Sequence, residues 1–165
     1  MTPVYAYVPS RDTDILLAQL WMRIAEDNEL GLLFADANAL TLSTFFALST
    51  PPHRLFYALD AQGIWLAFWF DPFLGGGTVS AYIRPDHRAT LLAAKLAMRL
   101  LRAALDDYET LFLFTWVPEN VALYNTLGYS TICTVPRAVR GLDCHFCVMT
   151  KESTRCRGLP LSPVQ

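Results

Sequence analysis

Apolar positions along the chain change period several times, and each change marks an element. Val4 to Val8 is a short apolar and aromatic run between Pro3 and Pro9 and reads as a strand. Ser10-Arg11-Asp12-Thr13-Asp14 then offers capping side chains before Ile15-Leu16-Leu17, Leu20-Trp21 and Ile24, whose spacing of three and four predicts a helix ending near Asn28. Asp36 is placed to cap a second helix that carries Leu40, Leu42, Phe45, Phe46 and Leu48 and is stopped by Pro51-Pro52.

From Arg54 the texture becomes that of strands. Leu55 to Leu59, a turn at Asp60-Ala61-Gln62-Gly63, Ile64 to Phe70, a turn at Gly75-Gly76-Gly77 and Thr78 to Ile83 predict an antiparallel meander. The longest helix follows, about Ala89 to Asp107, with Lys95, Arg99, Arg102 and Asp106 in one narrow polar stripe. Leu111 to Val117 reads as a buried strand, and Pro118 opens a helix to Leu127 that Gly128 closes. Two last strands, near Ser130 to Val135 and Asp143 to Thr150, are joined by a turn at Arg140-Gly141. A long helix between two strands implies a right-handed crossover and so a parallel pair. The expected fold is therefore α/β (α+β), a mixed, mostly antiparallel sheet with a central parallel strand pair, in a single domain over residues 1–151. A disordered tail is expected over 152–165, where proline recurs and periodicity is lost.

Composition narrows the class. The chain has 165 residues, 53% hydrophobic and 17% charged, enough apolar content for one core and too much for disorder. Thirteen basic residues are scattered among fifteen acidic ones, giving a formal charge of −2, so a nucleic-acid partner is not expected. No apolar run approaches the roughly 20 residues of a spanning helix. The richest, Ile64 to Phe70, stops at Asp71-Pro72; with Phe73 its aromatics either fill a core, the favoured reading, or leave an aromatic patch for a partner. The N-terminus shows no secretory pattern, which makes a cytoplasmic protein without membrane contact the expectation.

Cys133, Cys144, Cys147 and Cys156 include one CxxC, Cys144-His145-Phe146-Cys147, but strand alternation puts its sulfurs on opposite faces, so the cysteines read as structural and no metal is expected. The triple glycine lacks the following helix and Lys-Ser or Lys-Thr of a phosphate loop.

Two segments carry more. Ile83-Arg84-Pro85-Asp86-His87-Arg88 closes a strand and leads into the long helix, and Leu123-Tyr124-Asn125-Thr126-Leu127-Gly128-Tyr129 follows Asn120. Together with the element order over residues 1–151, they resemble the GNAT superfamily of acyl-CoA-dependent N-acyltransferases, whose corresponding motifs are Val-x-Pro-x-x-Arg and Leu-Tyr-x-x-Leu-Gly-Phe. The family's first motif continues Arg-x-x-Gly-x-Gly/Ala. Here Leu91 stands at the first glycine, whereas Ala93 conforms, so the resemblance is to a divergent member with a degenerate pyrophosphate loop.

The resemblance implies acetyl-CoA as cosubstrate and a primary amine of a small molecule or protein as acceptor. It implies that Arg88, Ala89, Thr90, Leu91, Leu92 and Ala93 hold the pyrophosphate at a helix N-terminus. Tyr82 and Ile83 would pair with the pantetheine arm in a V-shaped opening, Asn120 would join the cofactor site, and Tyr124 would protonate the leaving thiolate. No base identifies itself. Thr78 to Ile83 has no acidic residue, Ser80 or Tyr82 would at most order a water, and Asp60, Glu26 and Glu29 read as solvated. His53, His87 and His145 lie in a Pro-rich turn, the candidate loop and a strand, without triad spacing. Two other readings stay open: a GNAT-like binding or assembly module without catalysis, and a transferase with another donor. Oligomeric state is open too, a homodimer included, and acceptor choice would fall to the first two helices and the Pro136–Leu142 turn.

Overall fold

A computed structural model describes residues 2–26 and 41–155, with the backbone alone at 154 and 155. Asn28, Glu29, Asp36, Leu40, Cys156 and the remainder of the tail lie outside the described residues. The elements are β1 (Tyr5–Ala6), α1 (Arg11–Glu26), α2 (Leu42–Ala47), β2 (Arg54–Asp60), β3 (Gly63–Phe73), β4 (Gly76–Ile83), a 3-10 turn (Pro85–His87), α3 (Leu91–Asp107), β5 (Thr110–Thr115), α4 (Pro118–Leu127), β6 (Ser130–Val139), β7 (Leu142–Thr150) and α5 (Lys151–Arg155). The strands lie in the order β1-β2-β3-β4-β5-β7-β6. β4 and β5 are the parallel pair, matched at Gly77 with Leu111 and Thr78 with Phe112. The ladders β1–β2, β2–β3, β5–β7 and β6–β7 are antiparallel, as expected from the meander and the final hairpin. No described helix is long and apolar enough to cross a membrane. The chain forms two compact units, one of Met1–Pro72 with Val79–Ala94, the other of Phe73–Thr78 with Lys95–Gln165.

In the first unit, Ser10 starts α1 by accepting from Thr13 N–H at 3.3 Å and Asp14 N–H at 2.8 Å. One face of α1, Leu17, Leu20 and Ile24, packs with Phe45 of α2 and with Leu55, Tyr57, Ile64, Ala67, Trp69 and Tyr82. Thr41 caps α2 by accepting from Thr44 N–H at 3.2 Å. Every residue from Ile64 to Phe70 is buried, because a strand covered on both faces has no polar alternation to show. Trp69 is fully buried without an orphaned donor: its Nε1 donates to Ser49 Oγ at 3.1 Å, and Ser49 donates to Phe45 O at 3.0 Å. Phe73 departs from the expected aromatic core. It lies beyond Asp71-Pro72 at the end of β3 and is 36% exposed.

In the second unit, Leu111, Leu113 and Thr115 of β5 point to one buried face. Phe112 and Phe114 take the other, where they meet Phe73 and stack on Phe146 at centroid distances of 5.6 and 4.7 Å. α4 runs from Pro118 to Leu127 as predicted, and Gly128 ends it with φ +107°. Three of the boundaries that differ from the sequence reading have a structural reason here. β6 passes Pro136 to reach Val139, since an edge strand tolerates proline and its register shifts between Val135 and Val139 absorb the misfit. Lys151–Arg155 form a helix where the disordered tail was placed. The third difference is at the triple glycine, where the turn is Leu74-Gly75, both at positive φ, and Gly76 and Gly77 belong to β4.

A Cβ on Gly76 would lie 2.3 Å from Thr110 O and 2.8 Å from Phe112 Cε2. Gly76→Ala is therefore expected to cost about 3 kcal/mol, a fall of roughly 6–12 °C in Tm. Gly75→Ala is the control: its φ of +78° is strained, but no atom lies within 4 Å of the added Cβ. A loss of about 1 kcal/mol is expected there, and comparable melting curves for the two variants would refute the packing argument.

Candidate active site

The segment after β4 is fixed by an arginine whose role the motif did not reveal. Arg84 N–H continues the ladder to Trp65 O at 2.8 Å, and the side chain is buried, 6% exposed. Its guanidinium reaches two carboxylates. Nη1 and Nη2 donate to Asp60 Oδ1 and Oδ2 at 3.1 and 2.5 Å, and Nε and Nη2 donate to Asp86 Oδ1 and Oδ2 at 2.7 and 3.0 Å. Asp60 is thus not the solvated turn residue expected. The Arg84 hydrogen bonds hold its carboxyl well below the usual carboxylate range and lower that of Asp86. His87 stacks on Trp65 at 4.3 Å and places Nε2 2.9 Å from Arg84 Nη2 and 3.1 Å from Asp60 Oδ2. With its charge shared between two carboxylates, Arg84 braces the loop and is poorly placed to serve a third anion.

Beyond this brace, Arg88 donates from Nε to Ile83 O at 2.7 Å, and Ala89 adopts φ +60°, a left-handed conformation that lets the chain turn into α3. The helix consequently starts two residues later than expected. Thr90 caps it, accepting from Ala93 N–H at 3.2 Å while its own hydroxyl donates to His87 O at 2.7 Å. The cap uses the Ala93 N–H and leaves those of Leu91 and Leu92 as first-turn donors. The Leu91 and Leu92 side chains are exposed, 70% and 42%, whereas Ala93 and Tyr82 are buried. The first unit therefore brings Tyr82, Ile83 and Arg88 to Ala93 into one continuous strand-to-helix passage.

Asn120 and Tyr124 belong to the second unit, four residues apart on one face of α4. Asn120 N–H donates to Val117 O at 3.0 Å. The Tyr124 ring meets the Tyr129 ring edge-on at 6.1 Å. Burial, with Cys147 nearby as a smaller cause, pushes the Tyr124 phenol above its ordinary pKa. Tyr129 is almost wholly buried, and its hydroxyl has no hydrogen-bond partner among the described residues. Among the described residues no cluster of metal-ligating side chains forms, and Cys144 and Cys147 are free and buried. Of the weighed bases, Glu26 ends α1 at the surface, Glu29 lies outside the described residues, and Ser80 is half-buried on β4. The pairing of Arg84 with Asp60 escaped the sequence reading because they are 24 positions apart; a carboxylate at the end of one strand and an arginine at the end of the next but one was the available signal.

No protein-family model matches the chain, and no curated protein matches it by sequence. Solved structures do match. Spermidine N-acetyltransferase from Vibrio cholerae, in complex with CoA and spermine, superposes with a TM-score of 0.71 at 14% identity, over 91% of this chain and 96% of that one. Ribosomal-protein-alanine N-acetyltransferase from Brucella melitensis gives 0.72 at 14%, over 90% and 99%. Aminoglycoside 6'-acetyltransferase type Ii gives 0.69 at 14%, over 90% and 96%. At such identity a likeness speaks for architecture, and with the element order, the parallel β4–β5 pair and the α4 motif it establishes that this chain has the fold of the GNAT N-acetyltransferases.

Proposed function

We propose that the protein is an N-acetyltransferase that moves the acetyl group of acetyl-CoA to a primary amine of a small molecule by direct attack. The observation that carries this reading is Tyr124: a largely buried phenol, in the Leu-Tyr-x-x-Leu-Gly-Tyr motif of α4, within a GNAT fold. A neutral amine attacks the thioester carbonyl, the C–N bond forms as one amine proton leaves to a base or water, and the C–S bond breaks as Tyr124 gives its proton to the thiolate and regains one from solvent. A backbone N–H of the fourth strand would stabilise the oxyanion. The Leu91 and Leu92 N–H groups, at the positive end of the α3 dipole, suit the pyrophosphate, and the outward side chain of Leu91 leaves them accessible.

Amine acceptors named for the similar structures, spermidine and an aminoglycoside, define the first screen, with an alanine-terminated peptide as the protein-type acceptor. CoA release that depends on one of these amines, together with the acetylated product by mass spectrometry, is expected. A protein that binds none of the amines and releases no CoA would instead favour the binding-module reading, which Leu91 at a glycine position supports.

A further inference from the structure

A second side-chain pair in the first unit is used by nothing described above. His53 Nδ1 lies 2.5 Å from Asp71 Oδ1, and both side chains are partly buried, 29% and 24% exposed. His53 directly precedes β2, where its N–H donates to Thr50 O at 2.9 Å. Asp71 lies near the end of β3, and the match of Arg54 with Phe70 brings the two together. This is the end of the β2–β3 ladder away from Asp60 and the Arg84 brace. Asp71 shares a sheet face with Trp69, two positions back. The Arg84 to Trp65 hydrogen bond sets the β3–β4 register and puts Ser80 beside Trp69, so Ser80 faces the same side. β4 therefore leads from the neighbourhood of the His53–Asp71 pair to the loop assigned to the pyrophosphate.

The pair has the chemistry that the candidate bases lacked. A carboxylate accepting from Nδ1–H fixes the tautomer in which Nε2 carries the lone pair, and it stabilises the imidazolium that forms when Nε2 takes a proton. His53 Nε2 has no hydrogen-bond partner among the described residues. The other two histidines are engaged differently: His87 Nε2 lies against Arg84 and Asp60, and His145 pairs with the Thr134 hydroxyl at 2.9 Å on the β6–β7 ladder. Burial pushes the Asp71 carboxyl above its ordinary value, and the hydrogen bond with His53 offsets part of that rise.

We propose that His53, oriented by Asp71, is the proton acceptor for the amine, directly or through one water held near Ser80. The inference rests on the acetyltransferase reading. One amine proton passes to His53 Nε2 as the C–N bond forms, and the thiolate released from the broken C–S bond takes up one proton. His53 then returns its proton to solvent, so amine and thioester become amide and thiol. Among the described residues, Asp71 on β3 pairs with His53, and the next residue on β2, Arg54, holds its guanidinium 5.2 Å from the Phe56 ring centroid.

The test uses the full chain, acetyl-CoA and the amine that the wild type acetylates, beginning with spermidine. The rate is followed from pH 5 to pH 9, and the His53 ring is titrated by NMR with labelled histidine. Expected are an acidic limb of kcat/KM whose midpoint equals that of the His53 titration, and a loss of about 10²-fold in His53→Gln with that limb abolished. Asp71→Asn should lose less and move the limb to lower pH, because the imidazolium has lost its counter-charge. If the wild type is active but His53→Gln keeps its rate or its acidic limb, the base assignment falls and the acetyltransferase reading stands. If His53→Gln fails to fold, a mismatch between the wild-type limb and the NMR midpoint overturns the assignment just as well. A wild type that acetylates none of the three acceptors overturns both.

Discussion

Tyr124→Phe is expected to lower turnover by about 10²- to 10⁴-fold, the range for a positioned general acid, while acetyl-CoA and CoA bind as they do to the wild type. The substitution removes only the phenolic oxygen, so the ring contact with Tyr129 at 6.1 Å is preserved and the fold should be undisturbed. The pH dependence follows from the direction of the shift. A proton donor works while protonated, and burial holds the Tyr124 phenol above the ordinary tyrosine value of about 10. Deprotonation of Tyr124 should therefore cost no activity between neutrality and pH 9. A variant with wild-type turnover, or one that has lost affinity instead, would remove Tyr124 from the chemistry.

The second large effect is on stability. Arg84→Leu leaves Asp60 and Asp86 facing each other without their shared guanidinium, at the point where β4 passes into the loop. Removing one partner from a fully buried pair costs about 3–5 kcal/mol. With the Asp60 side chain 29% exposed, solvent screens part of that, and about 2–3 kcal/mol is expected at pH 7. The sign with pH is fixed by Asp60, whose folded pKa lies below its unfolded value of about 3.9. Its contribution is complete above that unfolded value and is lost as the pH falls through the depressed folded one. Urea unfolding of wild type and variant at pH 7, 5 and 3 should show equal gaps at the first two and a smaller gap at the third. An undiminished gap at pH 3 would show that the arginine acts by packing instead.

Local patterns made most of the architecture readable. The three-and-four spacing of Leu17, Leu20 and Ile24, the uninterrupted apolar run to Phe70 and the Pro118–Gly128 bracket each follow from one element's own residues, and each element formed. What escaped depends on partners elsewhere in the chain. Gly76 and Gly77 resemble turn residues, yet they are strand residues because Thr110 and Tyr108 approach too closely for a side chain. Asp60 with Arg84 and His53 with Asp71 require the register of neighbouring strands, which the irregularity between Ala58 and Leu59 shifts by one position. The motif residues of the candidate site were legible, but not the left-handed Ala89, the Thr90 cap or the outward Leu91 that determine what the loop offers.

Dependence on acetyl-CoA is the central claim, and calorimetric titration of the whole protein with acetyl-CoA, and in parallel with CoA, tests it most directly. Saturable binding of both, one molecule per chain, is predicted. The absence of binding at millimolar concentrations of either would contradict the acetyltransferase account and leave the fold serving another donor or a partner.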